Sequence, residues 1–259
     1  MNKNVFYKRM IGFTCILTVG ITALVISTSF SANNKYPSVN TGTLKIIFSN
    51  TANGKPITLR DSLYSNYFGE QYSISKLKYY ISNISIDNKN TRDYYLMNAA
   101  SGDSSLEIPL EPGNYNSLEF LLGVDSLSNC SGAQSGALDP MNDMFWTWNT
   151  GYVMFKMEGN SPASSFDLQR IEHHVGGYKG SNNVATKIKL NFNDAALLQI
   201  KANNTTEILV ETNLDNYWHG NSDIKISELP VCTTTGELAK KIASNFKNLF
   251  SIKTIRIIP

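Results

Sequence analysis

Short runs rich in hydrophobic residues, separated by polar and turn-forming residues, recur along most of this 259-residue chain. They are rich in β-branched and aromatic residues, which favours β-strands. The runs are Thr43–Asn50, Lys76–Ile86, Tyr94–Asn98, Ser117–Val124, Gly151–Gly159, Thr186–Phe192 and Thr206–Thr212. Stretches rich in Gly, Pro and Asn separate several of them and favour tight reversals. The pattern predicts an all-β protein, an antiparallel β-sandwich in which one face of each strand packs inward.

One late stretch, Gly236–Phe250, has a helical period instead. Its apolar residues recur three or four positions apart, the spacing that places side chains on one face of a helix. They are Leu238, Ile242, Phe246 and Leu249. We therefore expect one C-terminal amphipathic helix that packs on the sandwich.

The segment from Gly123 to Tyr152 does not have the pattern of a simple hairpin loop. A loop of about thirty residues without regular structure inside a compact domain is usually functional. An alternative is an ordered loop in which Asp125, Asn129 and Asp139 cap backbone groups, as such side chains commonly do. The segment is the first place in the chain to look for a site.

This segment ends in "MFWTWNTGY", which holds Trp146 and Trp148, two of the three tryptophans in the chain. Large aromatic side chains at these positions are typical of core packing. Electron-rich indoles close to thioethers and imidazoles also suit soft-metal or redox chemistry. In an extended segment the two tryptophans would lie on the same face, so both could contribute to one pocket.

Candidate metal ligands occur in "RIEHHVGGYKG", residues 170–180, and among the methionines near the tryptophans. In a strand, His173 and His174 would face opposite sides, so only one would enter a given pocket. Neutral imidazole is a good ligand for copper or zinc, and a thioether such as that of Met144 favours Cu(I). We take His174, His173 and Met144 as the candidates, with core filling as the alternative for the methionine. A contribution from His219 is left open.

The N-terminal residues have the order of a secretory leader. Lys3, Lys8 and Arg9 precede an apolar run that ends near Ile26, and small residues then precede Ala32. We expect a signal peptide at residues 1–31 and one exported, periplasmic or cell-envelope domain at residues 32–259. The alternative is an uncleaved membrane anchor, since the apolar run is close to the ~18 residues that a membrane span requires.

Composition excludes several classes of protein. Hydrophobic residues make up 42% of the chain and charged residues 17%, which is typical of a globular domain. The net charge of +2 includes the three cations of the leader, so no basic face for nucleic acid is expected. No nucleophile motif is present, and we expect a protein that is not an enzyme. Cys130 and Cys232 remain after the leader, and whether they pair is left open.

Four motifs together resemble the MbnP-like family of exported copper-binding proteins. They are "GVDS" at 123–126, "SGAQSGALDP" at 131–140, "MFWTWNTGY" at 144–152 and "HHVGGY" at 173–178. The resemblance implies a di-haem peroxidase partner of the MauG type, which oxidises a tryptophan to kynurenine, and copper bound by the modified protein. It makes Trp146 or Trp148 the residue to be oxidised and His174 the foremost candidate ligand.

The sequence therefore leaves two alternative functions. The first is an exported copper-binding protein matured by a haem peroxidase. The second is a metal-free β-sandwich that recognises a protein or glycan through its Trp-rich loop, because aromatic loops serve such contacts well. Metal analysis of the protein distinguishes them.

Overall fold

Strands dominate the computed structural model, which describes residues 40–102, 104–132, 134–147, 150–192 and 197–258. The expected leader at residues 1–31 lies outside these ranges. The described strands are β1 (Gly42–Ala52), β2 (Lys55–Pro56), β3 (Tyr64–Ser65), β4 (Gln71–Ile86), β5 (Lys89–Asn90), β6 (Tyr94–Asn98), β7 (Ser105–Leu110), β8 (Gly113–Tyr115), β9 (Ser117–Leu122), β10 (Phe145–Thr147), β11 (Gly151–Asn160), β12 (Arg170–Gly176), β13 (Thr186–Asn191), β14 (Leu198–Ile200), β15 (Thr205–Asn213), β16 (Val231–Cys232) and β17 (Phe250–Ile258). The described helices are α1 (Ser126–Cys130), α2 (Asp215–Trp218) and α3 (Glu237–Ala243), and short 3₁₀ turns lie between some elements. Every strand predicted from the sequence is present.

The smaller of the two main sheets has the order β17-β15-β1-β2, with β7 also paired to β1. Alternation is strict in β7, where Leu106, Ile108 and Leu110 are buried and the residues between them are exposed. One central pair departs from the expected antiparallel arrangement, because β1 and β15 run parallel. The local pattern of a strand does not specify the direction of its partner.

The larger sheet has the order β13-β9-β4-β11-β12-β16 and also includes β3, β5, β6 and β10. Its longest strand, β4, pairs with both β9 and β11, and its register with β9 shifts between Ser82 and Ser85. Asn83, within this irregular stretch, has a φ of 49°. The last pairing of the sheet, β12 with β16, is parallel.

Aromatic rings join the two sheets across the core. Phe48 of the smaller sheet lies 5.7 Å from Phe120 of the larger one, measured between ring centroids, and Phe250 lies 5.1 Å from Phe120. The contacts are edge-to-face, a geometry that aromatic pairs favour. The structure is therefore an all-β sandwich.

A second layer covers the outer face of the larger sheet. The Tyr80 hydroxyl donates a hydrogen bond to the carbonyl oxygen of Ala137, and the Tyr152 hydroxyl donates to that of Leu138. Both acceptors belong to the long segment that follows β9. Because this segment lies over β4 and β11, nearly every residue of β11 is buried, on both faces of the strand.

The C-terminal helix is shorter than predicted. It ends at Ala243 rather than extending to Phe250, which is the first residue of β17. Asn245 gives the physical reason: its buried side chain donates to the carbonyl oxygens of Tyr217 and Ser222. Polar side chains that bond the backbone in this way compete with helical hydrogen bonds. None of the helices in the described ranges is both long and apolar enough to cross a lipid bilayer.

Candidate functional site

Trp146 lies on the outer face of the larger sheet, over the end of β12. A Cβ atom placed on Gly176 would be only 2.7 Å from Cζ3 of Trp146, so the indole ring sits directly on this glycine. His174 is two residues earlier in the same strand and therefore faces the same side. The structure thus places Trp146 and His174 on one face, whereas Trp148 lies outside the described residues.

His174 is paired with a carboxylate. Its Nε2 atom lies 2.9 Å from Oε1 of Glu158 on the neighbouring strand β11, and the side chains are 18% and 24% exposed. The Lys76 ammonium lies 3.1 Å from the same carboxylate. The hydrogen bond from His174 lowers the pKa of Glu158 to about 2, assisted by Lys76 and against the effect of burial. Glu158 is therefore a carboxylate at neutral pH.

Asp143 links the tryptophan-bearing segment to the sheet. Its Oδ2 atom accepts from Lys76 at 3.0 Å and from Lys156 at 3.1 Å. The Lys156 ammonium also donates to the backbone carbonyl of Asp143, and Lys78 donates to the carbonyl oxygen of Asn142 at 2.9 Å. We call these four side chains, Lys76, Lys78, Lys156 and Asp143, the lysine clamp.

The lysine clamp was not predicted from the sequence. Its signal was present, because Lys156 interrupts the apolar run Tyr152–Met157 and its side chain is only 5% exposed. Lysine is almost never buried unless it is paired. Such a lysine predicts a partner, but the partner itself could not be read from the pattern.

His173 points the other way, into the core, as the alternation of a strand requires. Its ring is fully buried, with Nε2 at 2.8 Å from the carbonyl oxygen of Leu229 and Nδ1 at 2.8 Å from the hydroxyl of Tyr217. A carbonyl oxygen can only accept, so Nε2 carries the proton and Nδ1 accepts from Tyr217. Burial lowers the pKa of His173 to about 4. The structure does not bring this histidine to the face of Trp146, and both of its ring nitrogens are engaged.

The other candidates are also accounted for. Met144 is completely buried, while Trp218, the third tryptophan, is buried in the core against Tyr72. His219 lies elsewhere on the surface, stacked on Tyr67 and hydrogen-bonded to Asp223. Of the tryptophans that the structure describes, only Trp146 is partly exposed.

The polar residues of the long segment have capping roles. Asp125 accepts from the backbone of Ser128 at the start of α1, and Asp139 accepts from that of Met141. Asn129 accepts from the backbone N–H of Tyr152. Nor do the cysteines form a site, since Cys130 is exposed, Cys232 is buried and both are free.

The face that bears Trp146 and His174 offers a type of donor atom that binds copper. Imidazole is a good copper ligand, and the His174 side chain with its carboxylate partner provides one. Among the described residues, however, no group of three or more His, Cys, Asp and Glu side chains is arranged to hold a metal ion.

A family model covers most of the described residues. The model of the MbnP family matches residues 41–234, which include the larger sheet, the smaller sheet apart from β17, and the long segment. The chain belongs to the MbnP family. This family is non-enzymatic, and the protein is accordingly not an enzyme.

Among solved structures, the chain is similar to MbnP from Methylosinus trichosporium. The two share 15% sequence identity with a TM-score of 0.46, over 72% of this chain and 80% of that one. No curated protein sequence matches the chain. Family membership rests on the family model.

Proposed function

We propose that this member of the MbnP family is an exported copper-binding protein whose site lies on the outer face of the larger sheet, around His174. The observation that carries the proposal is the position of the Trp146 ring over Gly176, two residues from His174 in β12. In this arrangement the oxidisable ring and the imidazole share one face. Copper binding is what the resemblance to exported copper-binding proteins implies.

The surroundings of the other imidazoles support this choice. His173 is buried and uses both ring nitrogens within the core, while His219 is held by Asp223 and stacked on Tyr67. His174 is only partly buried, and no described residue forms a hydrogen bond with its Nδ1 atom. It is the histidine best placed to bind a metal beside Trp146.

Maturation by a di-haem peroxidase of the MauG type is the second part of the proposal. Such a partner would oxidise Trp146 or Trp148 to kynurenine, which offers a carbonyl oxygen and an aniline nitrogen that indole lacks. Trp146 is partly exposed, whereas Trp218 is buried in the core. An oxidant that acts from the surface therefore reaches Trp146 more easily.

The test is metal analysis of the protein recovered from the cell envelope, together with peptide mass spectrometry. We expect copper to co-purify and either Trp146 or Trp148 to have the mass of kynurenine. His174→Ala should abolish tight copper binding with the fold retained, because truncating a partly exposed side chain costs little stability.

His219→Ala is the matched control, since it removes another imidazole that is hydrogen-bonded to a carboxylate but lies away from Trp146. It should leave copper binding unchanged. If both tryptophans are unmodified and copper binding survives in His174→Ala, the proposal fails. The metal-free recognition of a protein or glycan would then be the better account.

Export is tested by the intact mass of the same material. Cleavage before Ala32 gives a chain of residues 32–259, and we expect that mass. A mass that includes residues 1–31 would indicate a membrane anchor instead.

A further inference from the structure

We propose that Glu158 is the positioning residue of the copper site: it accepts a hydrogen bond from the Nε2–H group of His174 and leaves Nδ1 as the ligating atom. This inference rests on the proposed function for the identity of the metal. The orientation of the ring that it describes can nevertheless be measured without copper.

The assignment follows from hydrogen-bond chemistry. Nε2 of His174 lies 2.9 Å from Oε1 of Glu158, within normal hydrogen-bond distance. A carboxylate only accepts hydrogen bonds, so the nitrogen that faces it must carry the proton. In a neutral imidazole the other nitrogen, Nδ1, then has the lone pair that a metal requires.

Glu158 is itself fixed in place. Its Oε2 atom lies 3.1 Å from the Lys76 ammonium, and Lys76 also lies 3.0 Å from the Asp143 carboxylate. Asp143 comes three residues before Trp146 in the chain. One lysine therefore joins the carboxylate that orients the histidine to the segment that bears the tryptophan.

The arrangement has a general counterpart in metal proteins. A ligating histidine usually donates its second N–H to a carboxylate, carbonyl or water, which fixes the tautomer and makes the ligating nitrogen more basic. Loss of that partner typically lowers metal affinity by 10- to 100-fold. Here the carboxylate is supplied by the adjacent strand, so the backbone pairing of β11 with β12 sets the orientation.

The first measurement uses copper-free, ¹⁵N-labelled protein. Long-range ¹H–¹⁵N correlation spectra, recorded about two pH units above the ordinary histidine pKa, report which ring nitrogen of His174 is protonated. We expect a protonated Nε2 and an unprotonated Nδ1. In Glu158→Met this preference should give way to a mixture of both tautomers.

The second measurement is copper affinity of envelope-derived protein, by competition with a chromophoric Cu(I) chelator. Glu158→Met should weaken binding by about 10- to 100-fold, and Glu158→Gln by less, because its amide oxygen still accepts. Glu172→Gln is the matched control. Glu172 lies opposite Glu158 on β12 with a similar exposure, 25% against 24%, but pairs with Arg170.

The outcomes separate the two proposals. A proton on Nδ1 in the unaltered protein, or an affinity in Glu158→Met equal to that of Glu172→Gln, overturns the role of Glu158. Failure of the unaltered protein to bind copper, with the expected tautomer present, refutes the proposed function and supports the orientation of His174 by Glu158. If Glu158→Met does not fold, Glu158→Gln provides the comparison.

Discussion

The Nδ1 atom of His173, in β12, lies 2.8 Å from the hydroxyl of Tyr217, in α2, and both residues are buried. The imidazole is neutral there, since burial lowers its pKa from 6.5 to about 4. Between about pH 4 and pH 6.5, this imidazole therefore binds a proton more readily in the unfolded chain than in the folded one. Stability is fully present above the unfolded pKa and is lost as the pH falls toward the folded one.

We expect this histidine alone to reduce the free energy of unfolding by about 2 kcal/mol between about pH 7 and pH 5. Urea unfolding across that range measures the effect. In His173→Gln the pH dependence should be much shallower, because glutamine has no proton to gain. The partly buried Glu158 changes the free energy of unfolding mainly below its ordinary pKa of 4.5, outside most of this range. An unchanged slope in the glutamine variant would contradict the assignment.

Gly176→Ala should displace the Trp146 ring. The new Cβ atom would lie 2.7 Å from Cζ3 of Trp146 and 2.9 Å from the carbonyl oxygen of Tyr152. Overpacking of this kind costs about 1–3 kcal/mol. We expect a lower free energy of unfolding together with a shift in tryptophan fluorescence. Gly113→Ala is the control, since its nearest neighbour is 3.8 Å away, and equal effects of the two substitutions would refute the close contact.

Asp143→Ala should loosen the lysine clamp. It leaves the nearly buried Lys156 ammonium without its carboxylate, at an expected cost of about 1–3 kcal/mol, reduced from the usual value because Asp143 is itself exposed. Lys156→Met should cost less, since a buried charge pair can often be replaced by an apolar side chain of similar volume. Thermal unfolding of both variants measures the order, and the reverse order would contradict the clamp.

The two cysteines should react at very different rates with a thiol reagent. Cys130 is exposed, whereas Cys232 is buried and burial raises its pKa to about 11. The thiolate is the reactive form, so Cys232 should be labelled only after unfolding. Peptide mapping by mass spectrometry identifies the labelled residue. Rapid labelling of Cys232 in the native protein would show that this part of the core opens.

The sequence alone predicted the strands and the side of the sheet that each of the two adjacent histidines faces. The strands were found because enrichment in β-branched and aromatic residues is a local property, as in β6, whose predicted and observed bounds are both Tyr94–Asn98. The opposite orientations of His173 and His174 also follow from strand geometry alone. The motifs around Trp146 and His174 carried the family resemblance, and the family model matches residues 41–234.

The tertiary structure decided what depends on contacts between distant residues. Lys76 and Asp143 are 67 positions apart, and no pattern in either segment predicts their ion pair. The parallel pairing of β1 with β15 and the early end of α3 at Ala243 are also set by packing against other elements. The position of Trp146 over Gly176 also depends on a contact between distant residues. Strand periodicity predicts the side of the sheet that a residue faces, but not which other residue packs over it.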